Sequence, residues 1–342
     1  MSATTTTLVV GAGLAGMSFA HRLASGGGRV TVVDKGRRPG GRMSTRRSRS
    51  GPVFDQGAQY LAARSVSFQQ QVAKWQHAGI VGEWTGRFVD LAPGSPAVDT
   101  QRQAKRFVGL PGMGSILEHL SDQAKTIDGP HFETRITALS RSGRQWQATD
   151  EAGNQHGPFD RVVVAVPPPQ ARELLGAHDH EIDQQLAAVQ TAPTWTTMLS
   201  FQDSLQVTDW VGAFVEDSPL SQAVNNSAKP GRPSIEEAGE CWVLHAGLEW
   251  SQQHLEDDAD AVTAELQAAF AALLGRDLPP PTYAQSHRWR YGHIVGPAAD
   301  RWMLSADQTL GYCGDSCTQG SPANIERAWL SGLGLAEHLA DA

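Results

Sequence analysis

The sequence has few cysteines, no excess of positive charge and no long apolar run. Its three cysteines, Cys241, Cys313 and Cys317, are too few for a disulfide framework and suit a reducing compartment. Acidic side chains outnumber basic ones by 36 to 28, and the formal net charge of −8 disfavours nucleic acid or an anionic membrane as the main partner. No segment approaches the roughly 20 apolar residues of a membrane-spanning helix, and the N-terminus lacks the basic region of a signal peptide. We therefore expect a soluble, cytoplasmic protein.

The N-terminal part of the chain follows the pattern of a βαβ unit. An apolar strand is predicted at Leu8–Val10, a helix from Leu14 to about Leu23, and a second strand at Arg29–Asp34. Such a unit crosses over right-handed and pairs its strands in parallel. The nearly continuous apolar run Arg161–Val166 is typical of a strand covered on both faces, and we expect it in the same sheet.

The rest of the chain indicates a second sheet. Between 193 and about 290 the strand patterns favour a largely antiparallel domain, so the predicted fold class is α/β: a Rossmann-type domain with a parallel sheet plus a second, largely antiparallel domain. Helices are predicted at Ser67–Ala78, from Ser115, at Asp258–Leu274 and at Ala323–Ala340. Strand-like pieces are predicted around Val81–Asp90, and further strands at His131–Ala138, Trp146–Thr149, Thr196–Phe201, Trp210–Glu216, Glu240–Gly247 and Gly311–Asp315.

The turn of the βαβ unit carries a G-x-G-x-x-G fingerprint at residues 11–16. Gly11 permits the tight turn, Gly13 lets the backbone approach a pyrophosphate, and Gly16 lets the helix lie close to the strand. Asp34 follows at the end of the second strand, where its carboxylate can accept hydrogen bonds from a ribose diol. The alternative is a tight turn without a ligand, but strand, helix and acid together favour a dinucleotide.

An arginine-rich segment follows directly, with Gly40-Gly41-Arg42 at its centre. A guanidinium held by this loop would add charge-assisted donors to the same pyrophosphate, while most of the other arginines are solvated surface. A domain that binds only a nicotinamide cofactor has no need of such a loop, so the loop favours a flavin.

A third candidate lies near the C-terminus. Asp315 follows a predicted strand and can accept from ribityl hydroxyls, while Ser321 and Pro322 suit the N-cap and first position of a helix. A helix N-terminus facing the ligand favours negative charge on it. The alternative is a routine strand-to-helix connection. Taken together, the three segments predict FAD.

The motifs resemble those of the renalases, especially the bacterial ones, within the FAD-dependent amine-oxidase-like flavoproteins. The residues that carry the resemblance are Gly11–Gly16, Asp34, Gly40–Met43, Asp55–Tyr60, Val162–Pro167, His287–Trp289, Gly314–Asp315 and Ala328–Gly332. The resemblance implies the fold of p-hydroxybenzoate hydroxylase and FAD bound without a covalent link. It also implies oxidation of the 2- and 6-dihydro isomers of NAD(P)H to NAD(P)+, with O2 reduced to hydrogen peroxide. The sequence departs from the bacterial pattern at one place: Ser316 follows the Gly-Asp pair, where bacterial members usually carry an aromatic residue, and the turn at 318–321 is longer. The resemblance therefore does not fix the preferred isomer.

The resemblance also supplies domain boundaries and site residues. FAD-binding parts are expected at 1–75, 106–192 and 301–342, and substrate-domain parts at 76–105 and 193–300; we expect a monomer or a dimer. Expected cofactor contacts are Gly11, Gly13, Leu14, Ala15, Gly16, Asp34, Lys35, Gly41, Arg42, Met43, Ala58, Gln59, Tyr60, Ile136, Gly314, Asp315, Asn324, Ile325 and Ala328.

Hydride transfer from a dihydropyridine leaves an aromatic pyridinium, so the protein must supply stacking and orientation rather than a base. The expected aromatic walls are Tyr60, Trp195, Trp289 and Tyr291, and the expected polar anchors are Asn226, His245 and Arg288. Each has a structural alternative, as a core aromatic, a core histidine or an ion-pair partner. No metal site is expected, because the spacing of Cys313 and Cys317 fits none.

Two other functions remain open from the sequence. An amine oxidase commonly places a lysine near the flavin, and segment 193–300 contains one lysine, Lys229, in a Pro-Gly loop that we predict to be exposed. That prediction weighs against amine oxidation. A flavin-binding regulatory module without turnover is disfavoured by the size and aromatic content of the second domain.

Overall fold

The computed structural model describes residues 5–49, 51–102, 104–123, 126–296, 301–317 and 324–341. Within them the strands are β1 (Thr6–Val10), β2 (Arg29–Val33), β3 (Thr45–Arg47), β4 (Val53–Asp55), β5 (Val81–Glu83), β6 (Phe88–Leu91), β7 (Val98–Asp99), β8 (Phe107–Gly109), β9 (Ile127–His131), β10 (Ile136–Ser142), β11 (Gln145–Asp150), β12 (Gln155–Phe159), β13 (Arg161–Val164), β14 (Gln190–Phe201), β15 (Gly212–Val215), β16 (Leu220–Asn225), β17 (Glu240–Ala246), β18 (Tyr283–Gly296), β19 (Met303–Leu304) and β20 (Leu310–Tyr312). The α-helices are α1 (Leu14–Ser25), α2 (Val66–His77), α3 (Ser115–Gln123), α4 (Pro168–Leu175), α5 (His180–Ala187), α6 (Ile235–Ala238), α7 (Leu248–Gln253), α8 (Ala259–Leu274) and α9 (Asn324–Asp341).

The first sheet has six strands in the order β19-β20-β13-β1-β2-β9. Strand β1 pairs in parallel with both β2 and β13, which confirms the predicted βαβ unit and the predicted return of the 161–166 run to this sheet. Val162, Val163 and Val164 are completely buried, as expected for a strand with elements on both faces. The carboxyl ends of β1 and β2 therefore lie side by side, next to the glycine turn.

The second sheet has seven strands in the order β18-β14-β17-β16-β15-β6-β7. All its pairs are antiparallel except β15 with β6. The predicted antiparallel sheet is thus confirmed, but three of its strands, β7, β16 and β18, were not predicted. Strand β18 has 14 residues and includes the polar run at 286–291, which lacks the simple alternation of a half-buried strand.

The predicted single strand His131–Ala138 is wrong. The chain divides it between β9, which pairs with β2 in the first sheet, and β10, which begins a separate antiparallel sheet in the order β10-β11-β12. Glu133 lies at the break with a φ of 54°, in the left-handed region, and its N–H donates to the Gly36 carbonyl. The left-handed turn at Glu133 and its bond to Gly36 direct the chain out of the first sheet.

The C-terminal helix α9 packs against α1. Ser18 of α1 donates its hydroxyl to the Trp329 carbonyl at 3.1 Å, and a Cβ on Gly332 would overlap the carbonyl oxygen of Ala15. The two helices therefore approach to backbone distance. The predicted helix start at Ala323, the cap residues Ser321 and Pro322 and the turn at 318–321 lie outside the described residues.

None of the helices in the described part of the chain is long and apolar enough to cross a membrane. In the same residues no group of three or more His, Cys, Asp or Glu side chains is placed to hold a metal ion.

The α1–α9 contact is testable by adding one methyl group. Gly332→Ala forces a Cβ against the Ala15 carbonyl, a backbone atom that cannot rotate away, and we expect a destabilisation of about 1–3 kcal/mol, typical of overpacking. The measurement is the melting temperature. The control is Gly296→Ala, because a Cβ there meets the Gln190 side chain at an ordinary 3.8 Å. Equal melting temperatures for the two variants would contradict this close packing.

Candidate active site

The glycine turn between β1 and α1 leaves the first turn of the helix without a side-chain cap. Gly13 is the N-cap and no side chain accepts from the N–H groups there. A Cβ on Gly13 would meet no atom within 4 Å, whereas Gly11 has a φ of 114° and a Cβ on Gly16 would overlap the Gly11 carbonyl. The turn thus presents bare backbone N–H groups at a helix N-terminus, the arrangement that binds phosphates.

Asp34 lies beside this turn at the end of β2. Its carboxylate accepts from the backbone N–H of Ala12 at 2.7 Å and of Gly36 at 2.6 Å. The acid therefore holds the two loops that leave β1 and β2 in fixed positions and is half-buried between them.

The Gly-Gly-Arg loop and the C-terminal Gly-Asp pair meet across the first sheet. Arg42 donates to both carboxylate oxygens of Asp315, at 2.6 and 2.8 Å. Burial opposes the charge on Arg42, but the neighbouring Asp315 outweighs it and raises the pKa of the guanidinium. Segments 273 residues apart in the chain therefore converge beside the glycine turn.

The remaining expected cofactor contacts occupy varied positions. Lys35 is exposed and its ammonium donates to Gln170 at 3.3 Å. Ala58 donates its N–H to the Arg42 carbonyl at 2.8 Å, so segment 55–60 lies against the arginine loop. Gly41 is exposed. The other members are buried or half-buried around the two sheets; they are Leu14, Ala15, Met43, Ile136, Gly314, Asn324, Ile325 and Ala328.

Segment 55–60 is joined to the second sheet by a buried ion cluster of Asp55, Lys229, Arg232 and Gln59. The Lys229 ammonium lies 3.0 Å from Asp55 Oδ2 and 2.9 Å from Gln59 Oε1, and Arg232 also donates to Asp55 Oδ2. Asp55 accepts in addition from the Met113 N–H. Burial would raise the pKa of Asp55, but the two cations lower it. Burial lowers the pKa of Lys229 to about 8.

The prediction that Lys229 is exposed is wrong, since only 3% of the residue is accessible. The Lys-Pro-Gly-Arg sequence has the composition of a surface loop, but the two cations turn inward because Asp55 is buried beneath them. Asn226 fixes the start of this loop: its amide donates to the Val53 carbonyl at 2.8 Å. Asn226 therefore acts on the backbone of β4, not as the predicted substrate anchor.

One row of directly paired residues crosses six strands of the second sheet. The pairs run from β18 to β6 and join His287, Thr196, His245, Gln222, Phe214 and Asp90. Paired residues share one face of a sheet. His245 contacts Gln59 at 3.0 Å and Trp289, two residues beyond His287, donates to the Gln56 carbonyl. This central row therefore faces segment 55–60.

Three histidines on or beside this face stay neutral at physiological pH. Burial lowers the pKa of His245 to about 3, and the charges of His293 and Lys229 contribute. Burial, with Arg46 nearby, lowers the pKa of His287, and burial, with Arg42 nearby, lowers that of His293. A neutral imidazole can both donate and accept a hydrogen bond.

Two predicted substrate contacts lie on the opposite face of the sheet. Trp195 alternates with Thr196 along β14, is 3% exposed and donates to the His254 carbonyl. Arg288 pairs with Trp195 and forms an ion pair with Glu256 at 2.8 Å. These two positions are therefore structural, and we correct that part of the prediction.

The other predicted aromatics lie on or beside the inner face of the second sheet, the face toward segment 55–60. Tyr60 is half-buried and its ring contacts Trp84 and Phe88, at centroid distances of 6.4 and 6.1 Å. Trp289 lies on the inner face, and Tyr291 is half-buried where the pairing of β18 with β14 shifts register.

Sequence reasoning missed several residues on this face. Asp55 belongs to the D-x-G-A-Q-Y motif, which was the signal available for it. Thr196, Gln222 and Phe214 carry no motif, and His287 belongs to the His287–Trp289 motif but was not assigned a role; the strand register brings the four together.

Comparison with known proteins gives the family and the fold. Residues 86–340 match the model described as flavin containing amine oxidoreductase, and residues 9–74 match an NAD(P)-binding Rossmann-like domain. A putative protoporphyrinogen oxidase from Exiguobacterium sp. 255-15 superposes with a TM-score of 0.76 at 13% identity, over 99% of both chains. Putrescine oxidase bound to putrescine gives a TM-score of 0.74 at 11% identity, also over 99% of both. An oxidoreductase from Methanosarcina mazei gives 0.72 at 11%, over 97% of this chain and 100% of that one.

The cofactor is FAD, bound without a covalent link. The residues described above fit it: the uncapped N-terminus of α1 suits the pyrophosphate, the open side of Gly13 leaves room for it, and Asp34 suits a ribose. Arg42 and Asp315, which bind each other here, present a donor and an acceptor beside the same turn.

Asp34→Ala should weaken FAD retention. One hydrogen bond to a charged group is worth roughly 1.5–3 kcal/mol, which corresponds to about tenfold to a hundredfold in affinity. The measurement is the flavin-to-protein ratio after dialysis. Asp128→Ala on the exposed part of β9 is the control. An unchanged ratio in Asp34→Ala would mean that the carboxylate only organises the loops.

His245→Gln should change how stability depends on pH. In the folded protein the pKa of His245 is lowered from 6.5 to about 3, whereas the unfolded chain takes up a proton near 6.5. The contribution of the neutral His245 to the free energy of unfolding is therefore fully present above pH 6.5 and is lost as the pH falls toward 3. The melting temperature of the wild type should fall more steeply between about pH 6.5 and pH 4 than that of His245→Gln.

The control for this measurement is His77→Gln, at an exposed position on α2. That variant should follow the wild-type curve. Parallel curves for wild type and His245→Gln would exclude a buried neutral imidazole at this site.

Proposed function

The chain belongs to the flavin-containing amine oxidoreductases, and within this family we propose that it oxidises the 2- and 6-dihydro isomers of NAD(P)H to NAD(P)+, as the renalases do. The flavin would supply the acceptor for the hydride and pass two electrons to O2, which gives hydrogen peroxide. What the chain must then provide is a surface that holds a dihydropyridine ring and its carboxamide in one orientation.

The observation that carries the proposal is the neutral character of three consecutive members of the central row, Thr196, His245 and Gln222. Gln222, Thr196 and the neutral His245 offer hydrogen-bond donors and acceptors without a charge, and Phe214 adds an aromatic ring. A carboxamide needs one donor and one acceptor, and a dihydropyridine ring needs an apolar or aromatic contact. A product with a cationic ring is also better accommodated beside neutral histidines than beside protonated ones.

The reaction itself requires no base from the protein. The dihydropyridine becomes aromatic when it loses a hydride, so no proton has to leave the reacting carbon. The side chains on this face therefore need not supply an acid or a base to the ring. The histidines stay uncharged because their pKa values are lowered.

Amine oxidation is the second candidate, because Lys229 is buried and not exposed. Its ammonium, however, is already bound to Asp55 and Gln59 and lies 5.3 Å over the Trp84 ring. Asp55 is in turn neutralised by Lys229 and Arg232, so this cluster offers no free carboxylate to an ammonium substrate. The described cluster therefore supports the dihydronicotinamide better.

The test uses the purified holoprotein without oxygen. Chemically reduced NAD containing the 2-, 4- and 6-dihydro isomers is mixed with the protein, and loss of the yellow flavin absorbance is followed for each separated isomer. We expect rapid bleaching by the 2- or 6-dihydro isomer and little by ordinary 4-dihydro NADH, followed by equal amounts of NAD+ and hydrogen peroxide when air is admitted.

Putrescine and a monoamine such as benzylamine serve as the comparison substrates. Bleaching by an amine alone would replace the proposal with amine oxidation. A flavin that none of these compounds reduces would favour a binding protein without turnover.

A further inference from the structure

Four cations lie in segment 87–106, which connects β6 to β8 along the edge of the second sheet. Three of them have a carboxylate partner: Arg87 pairs with Asp99, Arg102 with Asp90, and Lys105 with Glu83. Arg106 is the exception. Among the described residues no carboxylate lies within 4 Å of its guanidinium nitrogens.

Aromatic rings hold the Arg106 guanidinium in place. Its central carbon lies 3.8 Å from the Phe88 ring centroid and 5.3 Å from that of Tyr60. Its terminal nitrogens donate to the carbonyls of Ala104 at 3.2 Å and Arg102 at 2.8 Å. The group is therefore fixed in orientation before any ligand binds, which lowers the entropic cost of binding.

The hydrogen-bonding capacity of Arg106 is only partly used. A guanidinium has five N–H donors. Two donate to the carbonyls just named, while the buried Nε finds no acceptor within the described part of the chain. The terminal nitrogens therefore keep two N–H donors for an anion.

Arg106 lies at the rim of the surface described above. It follows the exposed Lys105 and precedes Phe107, which is 8% exposed, so the chain passes from solvent to core at this residue. Phe88 shares the inner face of the sheet with Asp90 and Phe214, and Tyr60 directly follows Gln59 of the ion cluster. A molecule whose ring contacts the central row can extend its charged end past Tyr60 toward this guanidinium.

We propose that Arg106 binds a phosphate group of the substrate and is a specificity-determining residue that selects phosphorylated dihydronicotinamides over the neutral riboside. The inference rests on the proposed function for the identity of the ring, and on Arg106 alone for the anion. A fixed guanidinium with two unused N–H donors suits a phosphate, and its pairing with an anion also supplies the missing opposite charge.

The test compares the 6-dihydro forms of NAD, of nicotinamide mononucleotide and of nicotinamide riboside; the last two differ only in one phosphate, and the dinucleotide adds an adenosine monophosphate unit. The variant Arg106→Met keeps an apolar side chain against Phe88 and removes the charge. We expect the KM of the dinucleotide and the mononucleotide to rise by about tenfold to a hundredfold, kcat to change little, and both parameters of the riboside to stay as in the wild type.

Arg87→Gln is the matched control. Arg87 belongs to the same segment, but Asp99 neutralises it at the exposed edge, away from the central row. This variant should leave the preference for phosphorylated substrates intact. Arg106→Lys, which retains the charge without the fork, should recover part of that preference and should show that the effect is electrostatic.

The outcomes separate the two proposals. If Arg106→Met raises the KM of the riboside as much as that of the dinucleotide, Arg106 only supports the fold and the inference is wrong. If no dihydronicotinamide reduces the wild type, the proposed function fails, and the anion site is then tested by calorimetry with inorganic pyrophosphate: binding to the wild type but not to Arg106→Met supports the site, and equal binding overturns it. Should Arg106→Met not fold, Arg106→Gln, which also removes the charge, gives the same comparisons.

Discussion

The contact on which the site depends is the buried ion cluster between segment 55–60 and the loop after β16. Asp55 carries one negative charge with no exposure, and Lys229 and Arg232 reach it from a loop that belongs to the second sheet. A buried charge without a partner costs several kcal/mol, so the cluster holds the two sheets in one relative position even though its net contribution to stability is small. Because Gln59 bonds to both Lys229 and His245, this position also fixes the orientation of the histidine.

The same constraint brings the candidate cofactor site of the first sheet close to the central row of the second. The first sheet supplies the glycine turn and Asp34, and the Arg42–Asp315 pair brings the C-terminal segment beside them. Gly57 lies so close to the Arg42 carbonyl that a Cβ there would overlap it, so segment 55–60 is in direct backbone contact with the arginine loop. The proposed function uses this proximity, because a flavin bound at the first sheet would then face the central row of the second.

The features that could be predicted from the sequence are those that depend on neighbouring residues. The glycine turn, Asp34 and the parallel strands follow from local spacing, and the structure confirms these elements. Lys229 was mispredicted because its partner Asp55 is 174 residues away. Trp195 and Arg288 were assigned to the wrong face because β14 is buried on both sides from Pro193 to Phe201, so no alternation of polar and apolar residues indicates which side faces the cofactor.

The distribution of charge over the inner surface bears on which substrates it can accept. Among the described residues, the carboxylates of the central row and of the segment that faces it are paired, Asp90 with Arg102 and Asp55 with two cations, and Asp315 is paired with Arg42 beside the glycine turn. The cluster at Asp55 consequently carries one positive charge in excess, and Arg106 adds a second among the described residues. Burial is the main cause of the lowered pKa of His245, and the positive charges of His293 and Lys229 lower it further. A surface with surplus cations and no unpaired carboxylate repels a protonated amine and attracts a molecule with a neutral ring and an anionic tail. The electrostatics of the chain therefore support a phosphorylated dihydropyridine over an ammonium substrate, independently of any motif.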